Sequence, residues 1–256
     1  MLAALRVAYD GTNYHGFQYQ PDVPTVEGEL RRALSDLKLE LVGYASRTDA
    51  GAHARYQVVT VRGEIERAVP GALNARLPED IRVVATARVP SGFDPRRDAV
   101  AKEYRYFLGP LDRPEEAREA AERLVGEHDF SAFRREDGRD PRVRVEECEV
   151  VEWVPGRYVL RVRAERFLWE MVRRMAGFVW EVGRGDREPE DADRLLSGDY
   201  RPDEKPRCMP AGGLVLWKVE YRNVNLDRLD EEEDWFSSED VILHGGKLLL
   251  RTGGEG

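Results

Sequence analysis

The chain has 256 residues, with 40 Lys and Arg against 49 Asp and Glu, a net charge of −9 and a mean hydropathy of −0.59. That length holds one large domain or two ordinary ones, and no run of about 18 apolar residues is present to form a transmembrane helix. No signal peptide is read at the N-terminus, and two isolated cysteines, Cys148 and Cys208, suit a reducing cytoplasm better than a disulfide framework or a thiolate metal site.

The acidic sum argues at face value against a nucleic-acid partner, because affinity for phosphate comes from Lys and Arg. Its distribution weakens that argument. Residues 223–256 hold nine acids and three bases, so −6 of the charge falls in this segment and −3 on the rest. Of the 40 bases, 35 are arginine, whose planar fork of donors suits phosphate. Most of these arginines are still expected to pair with surface carboxylates.

In chain order, Ala3, Leu5, Val7 and Tyr9 alternate in a half-buried strand ending at Asp10-Gly11. Thr25 is a candidate N-cap for a helix whose inward face is Val26, Leu30, Ala33, Leu34 and Leu37. Strands near 39–44 and 56–62 follow. A short helix with Pro70 in its first turn turns Ala72, Leu73 and Ala75 inward, and a strand over 81–89 closes the half. The order is β-α-β-β-α-β.

The same order recurs. A strand carries Val100, Lys102, Tyr104 and Tyr106 on one side, and Pro114 opens a helix with Ala117, Ala120, Ala121, Leu124 and Val125 inward. Strands at 143–153 and 157–164, an apolar helix from Phe167 to Val182, a small helix after Pro189 and a strand at 214–221 complete the unit. The fold class expected is therefore α+β, with two ferredoxin-like (RRM-like) βαββαβ domains built on antiparallel sheets and an active-site cleft between them. The boundaries expected are 1–98, 99–222 and an acidic C-terminal extension over 223–256 containing one strand, Lys247–Arg251.

The most unusual stretch is Ser46-Arg47-Thr48-Asp49-Ala50-Gly51-Ala52-His53-Ala54, between two strands. It sets a carboxylate beside a guanidinium among small residues, which leave room for a bulky group to approach the backbone. Taken alone it reads more readily as an ordinary Asp-and-Gly turn. A metal reading of Asp49 with His53 is weaker, because the four histidines show no ligand spacing.

Four further blocks accompany it: Tyr9-Asp10-Gly11-Thr12-Asn13-Tyr14-His15-Gly16-Phe17-Gln18 with Val26-Glu27-Gly28, Ala101-Lys102-Glu103-Tyr104-Arg105-Tyr106, Asp129-Phe130-Ser131-Ala132-Phe133-Arg134, and Phe167 with Met171-Val172-Arg173. Over residues 3–221 the series resembles the tRNA pseudouridine synthase A family. The resemblance implies an isomerase that converts uridine to pseudouridine in tRNA, in the anticodon stem-loop, as a cytoplasmic homodimer. The reaction loses no atoms, so it implies no cofactor and no metal, and no membrane partner. No Gly-rich phosphate loop is present in the sequence.

The resemblance further implies Asp49 as the essential carboxylate and Arg173 as the arginine that keeps it charged, with Arg174 as competitor. Tyr104 is the implied aromatic against the target base, and Tyr106 shares its side of the strand. Because a paired uridine is inaccessible, the target must leave the stack. Arg47 is the family's candidate to fill the vacated space, and Arg55, Arg134, Arg135, Arg142 and Arg144 are expected to track phosphates. This chain departs from the family pattern at Ser46, where Gly is usual, at Ala52, where Val is usual, and at Glu170, where His is usual. Two other classes compete: a non-catalytic tandem RNA-binding module, and a metal-dependent hydrolase using Asp49 and His53.

Overall fold

The computed structural model describes residues 1–226 and the backbone of two strands, β10 (Val241–His244) and β11 (Lys247–Leu250). In the first half, β1 (Leu2–Tyr9) lies between β3 (His53–Gly63) and β4 (Ile81–Val89), antiparallel to both. The strand β2 (Leu39–Tyr44) pairs with β3, giving the order β4-β1-β3-β2. The alternation expected of β1 is not seen, because both of its faces are covered. Ala4, Arg6 and Ala8, on the second face of β1, are buried like Leu5 and Val7 on the first. Arg6 is tolerated there with its guanidinium 4.4 Å from the Tyr56 ring centroid.

The first helix, α1 (Val26–Ser35), starts where its cap says it should: Thr25 Oγ1 accepts the Gly28 N–H at 3.2 Å. Val26, Leu30, Ala33 and Leu34 bury the inward stripe. The second, α2 (Pro70–Asn74), is only five residues long, so Leu73 alone is fully buried and Ala75 is exposed. Asn74 fastens it to β4, donating to the Val83 carbonyl and accepting from the Val83 N–H.

In the second half, β5 (Ala99–Gly109), β8 (Arg157–Ala164), β7 (Arg142–Val154) and β6 (Gly126–Asp129) pair antiparallel in that order. The four-residue β6 was not anticipated. Here α3 (Pro114–Glu122) ends before Leu124 and Val125, so Val125, expected inward, is 40% exposed. The long apolar helix α4 (Met171–Arg184) also begins later than its composition suggests. Glu170 has φ +63, a left-handed conformation no helix continues through, so Phe167, Leu168 and Trp169 lie ahead of the helix. At its other end α4 runs through Gly183 and stops at Gly185, whose φ of +80 suits glycine. The small helix α5 (Asp191–Ser197) is tied to α3 by Arg123, which pairs with Glu119, Glu190 and Asp193.

The chain divides into two compact units, Met1–Val100 with the chain from Val215, and Ala101–Leu214. The expected boundary at 222 is therefore displaced. Long-range contacts that no local pattern announces place β9 (Leu214–Tyr221), from Val215 on, in the first unit. It runs parallel to β3 at His53↔Val215 and Ala54↔Leu216, and Arg55 lies over the Trp217 ring at 5.0 Å. The Tyr221 hydroxyl donates to the Pro95 carbonyl at 2.6 Å, with Phe93 edge-on to its ring. Beyond it, β10 and β11 pair antiparallel, so the single strand expected at 247–251 has a partner. The acidic run over 227–240 lies outside the described residues. Among the described residues no helix is long and apolar enough to cross a membrane.

The Tyr221 bond is testable. Tyr221→Phe deletes a donor from a largely buried carbonyl and should lower unfolding stability by about 1 kcal/mol, read from urea denaturation.

Candidate active site

The loop carrying Asp49 joins β2 to β3, and each of its flanks is bound to a different element. Gln57, fully buried, accepts the Ser46 N–H at 3.1 Å and donates to the Ser46 carbonyl at 2.6 Å. Thr48 is buried, with its Oγ1 2.7 Å from the Tyr9 hydroxyl and its carbonyl accepting the Phe17 N–H. Gly51 donates to the Tyr14 carbonyl, and Ala52 to the carbonyl of Asp49 itself. The loop thus rests against the Asp10–Phe17 segment, which two glycines allow to come close. A Cβ on Gly11 would fall 1.9 Å from the Ala52 carbonyl oxygen, and one on Gly16, where φ is +96, 3.0 Å from that of Thr48. Gly51 has φ +82 and open space beside it, so it serves the turn and not a contact. Asp49 itself is half-buried.

His53 begins β3 fully buried, with Nδ1 3.1 Å from both the Gly11 nitrogen and Asp10 Oδ1. That nitrogen accepts from Gly11 when bare and donates to Asp10 when protonated. Burial pushes the Asp10 carboxyl upward, but hydrogen bonds from His53 and from the Thr12 hydroxyl and N–H outweigh it and hold it below its ordinary value. His53 therefore serves the turn that backs the loop, with Nδ1 facing Gly11 and Asp10. Arg47, in the same loop, is exposed, and Arg55 is half-buried against Trp217.

In the second unit, Tyr104 lies on β5 opposite Val162, buried, with its ring edge-on to Phe167 at 4.9 Å between centroids. Tyr106 shares its side but has a different use. Its hydroxyl donates to the Pro210 carbonyl at 2.8 Å, and a Cβ on Gly213 would strike its ring at 2.7 Å. Burial raises its hydroxyl pKa, opposed by the positive charge of Arg173 nearby. The two arginines of α4 are likewise distinguished. Arg174 is engaged by Glu170, at 2.8 Å from Nη2, and by the Pro206 carbonyl. Arg173 donates from Nε to the Met209 carbonyl at 2.7 Å, while Met209 N–H returns a bond to the Arg173 carbonyl. This double tie fixes the arginine side chain at its root. Cys208 beside it is a poor nucleophile, pushed up to about 11 chiefly by burial, against the charge of Arg173.

One expected phosphate contact is withdrawn. Arg134 is buried, with Nη2 bidentate to Glu136 at 2.7 and 2.8 Å and Nη1 on the Arg139 carbonyl, so its charge is spent inside its own loop. Arg135, Arg142 and Arg144 are exposed. The supports that the sequence left unremarked are Gln57, Met209 and Pro210. Only Gln57 carried a signal, as a lone amide in an apolar strand.

A family model described as tRNA pseudouridine synthase matches residues 120–222. A protein of Methanopyrus kandleri is 67% identical over 98% of this chain and 97% of its own length. One of Pyrococcus horikoshii is 40% identical over 92% of this chain and 91% of its own, and one of Thermococcus kodakarensis 43% identical over 98% and 96%. All three are named tRNA pseudouridine synthase A. The class is thus that of the tRNA pseudouridine synthases, which are isomerases. The chain belongs to the tRNA pseudouridine synthase A family.

The loop supports make two predictions. Gly11→Ala must displace the backbone of the Asp49 loop and should cost about 1–3 kcal/mol in chemical denaturation. The depressed Asp10 carboxyl contributes stability that is full above its ordinary value of 3.8 and lost as pH falls through the lower folded value. Asp10→Asn should therefore destabilise the protein near neutral pH and flatten the acid limb of a stability–pH curve.

Proposed function

We propose that the protein isomerises uridine to pseudouridine in tRNA with Asp49 as the essential carboxylate. The reading is carried by Asp49 standing on a loop that Gln57, Tyr9, Gly11 and Gly16 hold from both flanks. In the reaction the N1–C1′ bond breaks, the uracil turns, and C5 bonds to C1′. C5 gives up its proton and N1 gains one, so atoms balance without a co-reactant. Attack of a carboxylate on C1′ and removal of a sugar proton by it make the same demand, an ionised side chain held near the anomeric carbon.

Arg173 supplies the positive charge of the reaction. The engagement of Arg174 by Glu170 supports that choice, and it gives the departure at position 170 a use. Tyr104 serves the target base, Arg47 the space that a flipped nucleotide leaves, and Arg55 the phosphates around it. The ferredoxin-like reading is supported in the first half by the element order β-α-β-β-α-β and the strand order β4-β1-β3-β2. The anticodon stem-loop as target, a homodimer and a cytoplasmic setting belong to the same reading and rest on the family resemblance.

The experiment uses unmodified tRNA transcript labelled with tritium at uracil C5. Wild-type protein should release the label with no added cofactor, and Asp49→Asn should reduce release to background while retaining tRNA binding. Release that persists in Asp49→Asn removes the carboxylate from the mechanism. Binding by a wild-type protein that releases no label favours a non-catalytic RNA-binding module.

A further inference from the structure

The segment Phe167–Glu170 points its two aromatic residues to different ends. Phe167 packs inward, edge-on to Tyr104, whereas Trp169 is 37% exposed. Their Cα atoms are at most about 7 Å apart, so whatever rests on Trp169 lies one short reach from the tyrosine assigned to the target base. The Arg135 guanidinium lies over the indole with Cζ 4.3 Å from the ring centroid, and Arg135 N–H donates to the Trp169 carbonyl at 3.0 Å. Backbone and side chain thus join the same two residues.

Both residues are held from behind. Glu170 adopts its left-handed conformation directly after Trp169 and is anchored by Arg174. Arg134, directly before Arg135, is buried in its bonds to Glu136 and the Arg139 carbonyl. An exposed tryptophan capped by a flat cation is an unusual surface to keep so firmly placed.

We propose that Arg135 and Trp169 form a stacking platform for an unpaired base of the RNA substrate, outside the residues assigned to the reaction. The proposal rests on the RNA-modifying function argued above. Guanidinium planes and aromatic rings are the surfaces on which unstacked RNA bases settle, and a cation on the face adds attraction for the adjoining phosphate. The surroundings favour RNA over a second protein chain. Arg142 and Arg144 are exposed on β7, and Arg166 is 45% exposed with its guanidinium on the Asp140 and Arg142 carbonyls and 3.9 Å from the Asp140 carboxylate, one of three exposed acids nearby with Glu136 and Glu165. Nucleic-acid interfaces are rich in positive charge, whereas the centres of protein interfaces are depleted of charged residues.

The test is steady-state tritium release and filter binding with the tRNA transcript for Trp169→Ala, Trp169→Phe, Arg135→Ala and Arg135→Lys. Trp169→Ala and Arg135→Ala should each raise KM and Kd about tenfold with kcat within twofold of wild type. Trp169→Phe should recover most of the affinity. Arg135→Lys should keep the salt dependence of binding that Arg135→Ala reduces, yet recover little affinity, because it keeps the charge and loses the plane. Unchanged KM and Kd in Trp169→Ala overturn the platform. So does a loss of affinity that follows a change of oligomeric state in sedimentation, which assigns the indole to a protein contact. Melting curves identify a variant that fails to fold, and Trp169→Phe and Arg135→Lys then carry the decision. A wild-type protein that binds tRNA but releases no label refutes the isomerase reading and leaves the Kd comparison to decide the platform.

Discussion

The first unit depends on one close approach of two backbones, Gly11 against the carbonyl of Ala52. No side chain fits there, because even a methyl carbon would fall 1.9 Å from that oxygen, far closer than van der Waals contact. The approach brings the segment after β1 against the loop after β2. Apart from the Gln57 clamp on Ser46, the supports of Asp49 follow from that proximity: the Tyr9–Thr48 hydroxyl pair, the Phe17 and Gly51 backbone bonds, and the seat of His53 between Gly11 and Asp10. A loop that carries an exposed charge must usually choose between accessibility and firmness. Here the firmness comes from underneath, and the exposed side is left to Arg47.

The second unit uses carbonyl acceptors in the same spirit. The loop around 206–210 offers the Pro206, Met209 and Pro210 carbonyls to Arg174, Arg173 and Tyr106 in turn. Three side chains from a strand and a helix are thereby fixed by one stretch of irregular backbone. Glu170 completes the set by engaging Arg174, which separates two adjacent arginines of identical chemistry into two environments.

Much of this was legible in the sequence wherever the cause is local. The alternation of β8, the cap and stripe of α1, and the turn block around Asp49 all depend on neighbours within a few residues. What was not legible depends on distant partners. The start of α4 was misplaced because an apolar run says nothing of the left-handed φ that Glu170 adopts. Arg134 read as a surface cation because the loop acids Glu136 and Asp137 take it inward only once the chain has folded around Phe133. The membership of β9 was misjudged because pattern reveals that a strand exists but not which strand it will lie beside. At the site, residue types were recognisable from the motif blocks, whereas the carbonyls that hold Arg173 and Tyr106 leave no trace in composition.

The parallel pairing of β3 with β9 also makes the first unit discontinuous, with the whole of Ala101–Leu214 intervening between its parts. A ribosome delivers the chain in order, so the intervening unit is complete before the strand that finishes the earlier one has emerged. The start of β3, where the Asp49 loop ends, therefore waits for its last partner until residues 215 and 216 have been made. Formation of the Asp49 loop is in this way coupled to synthesis of the intervening unit, a long-range closure that raises the entropic cost of folding.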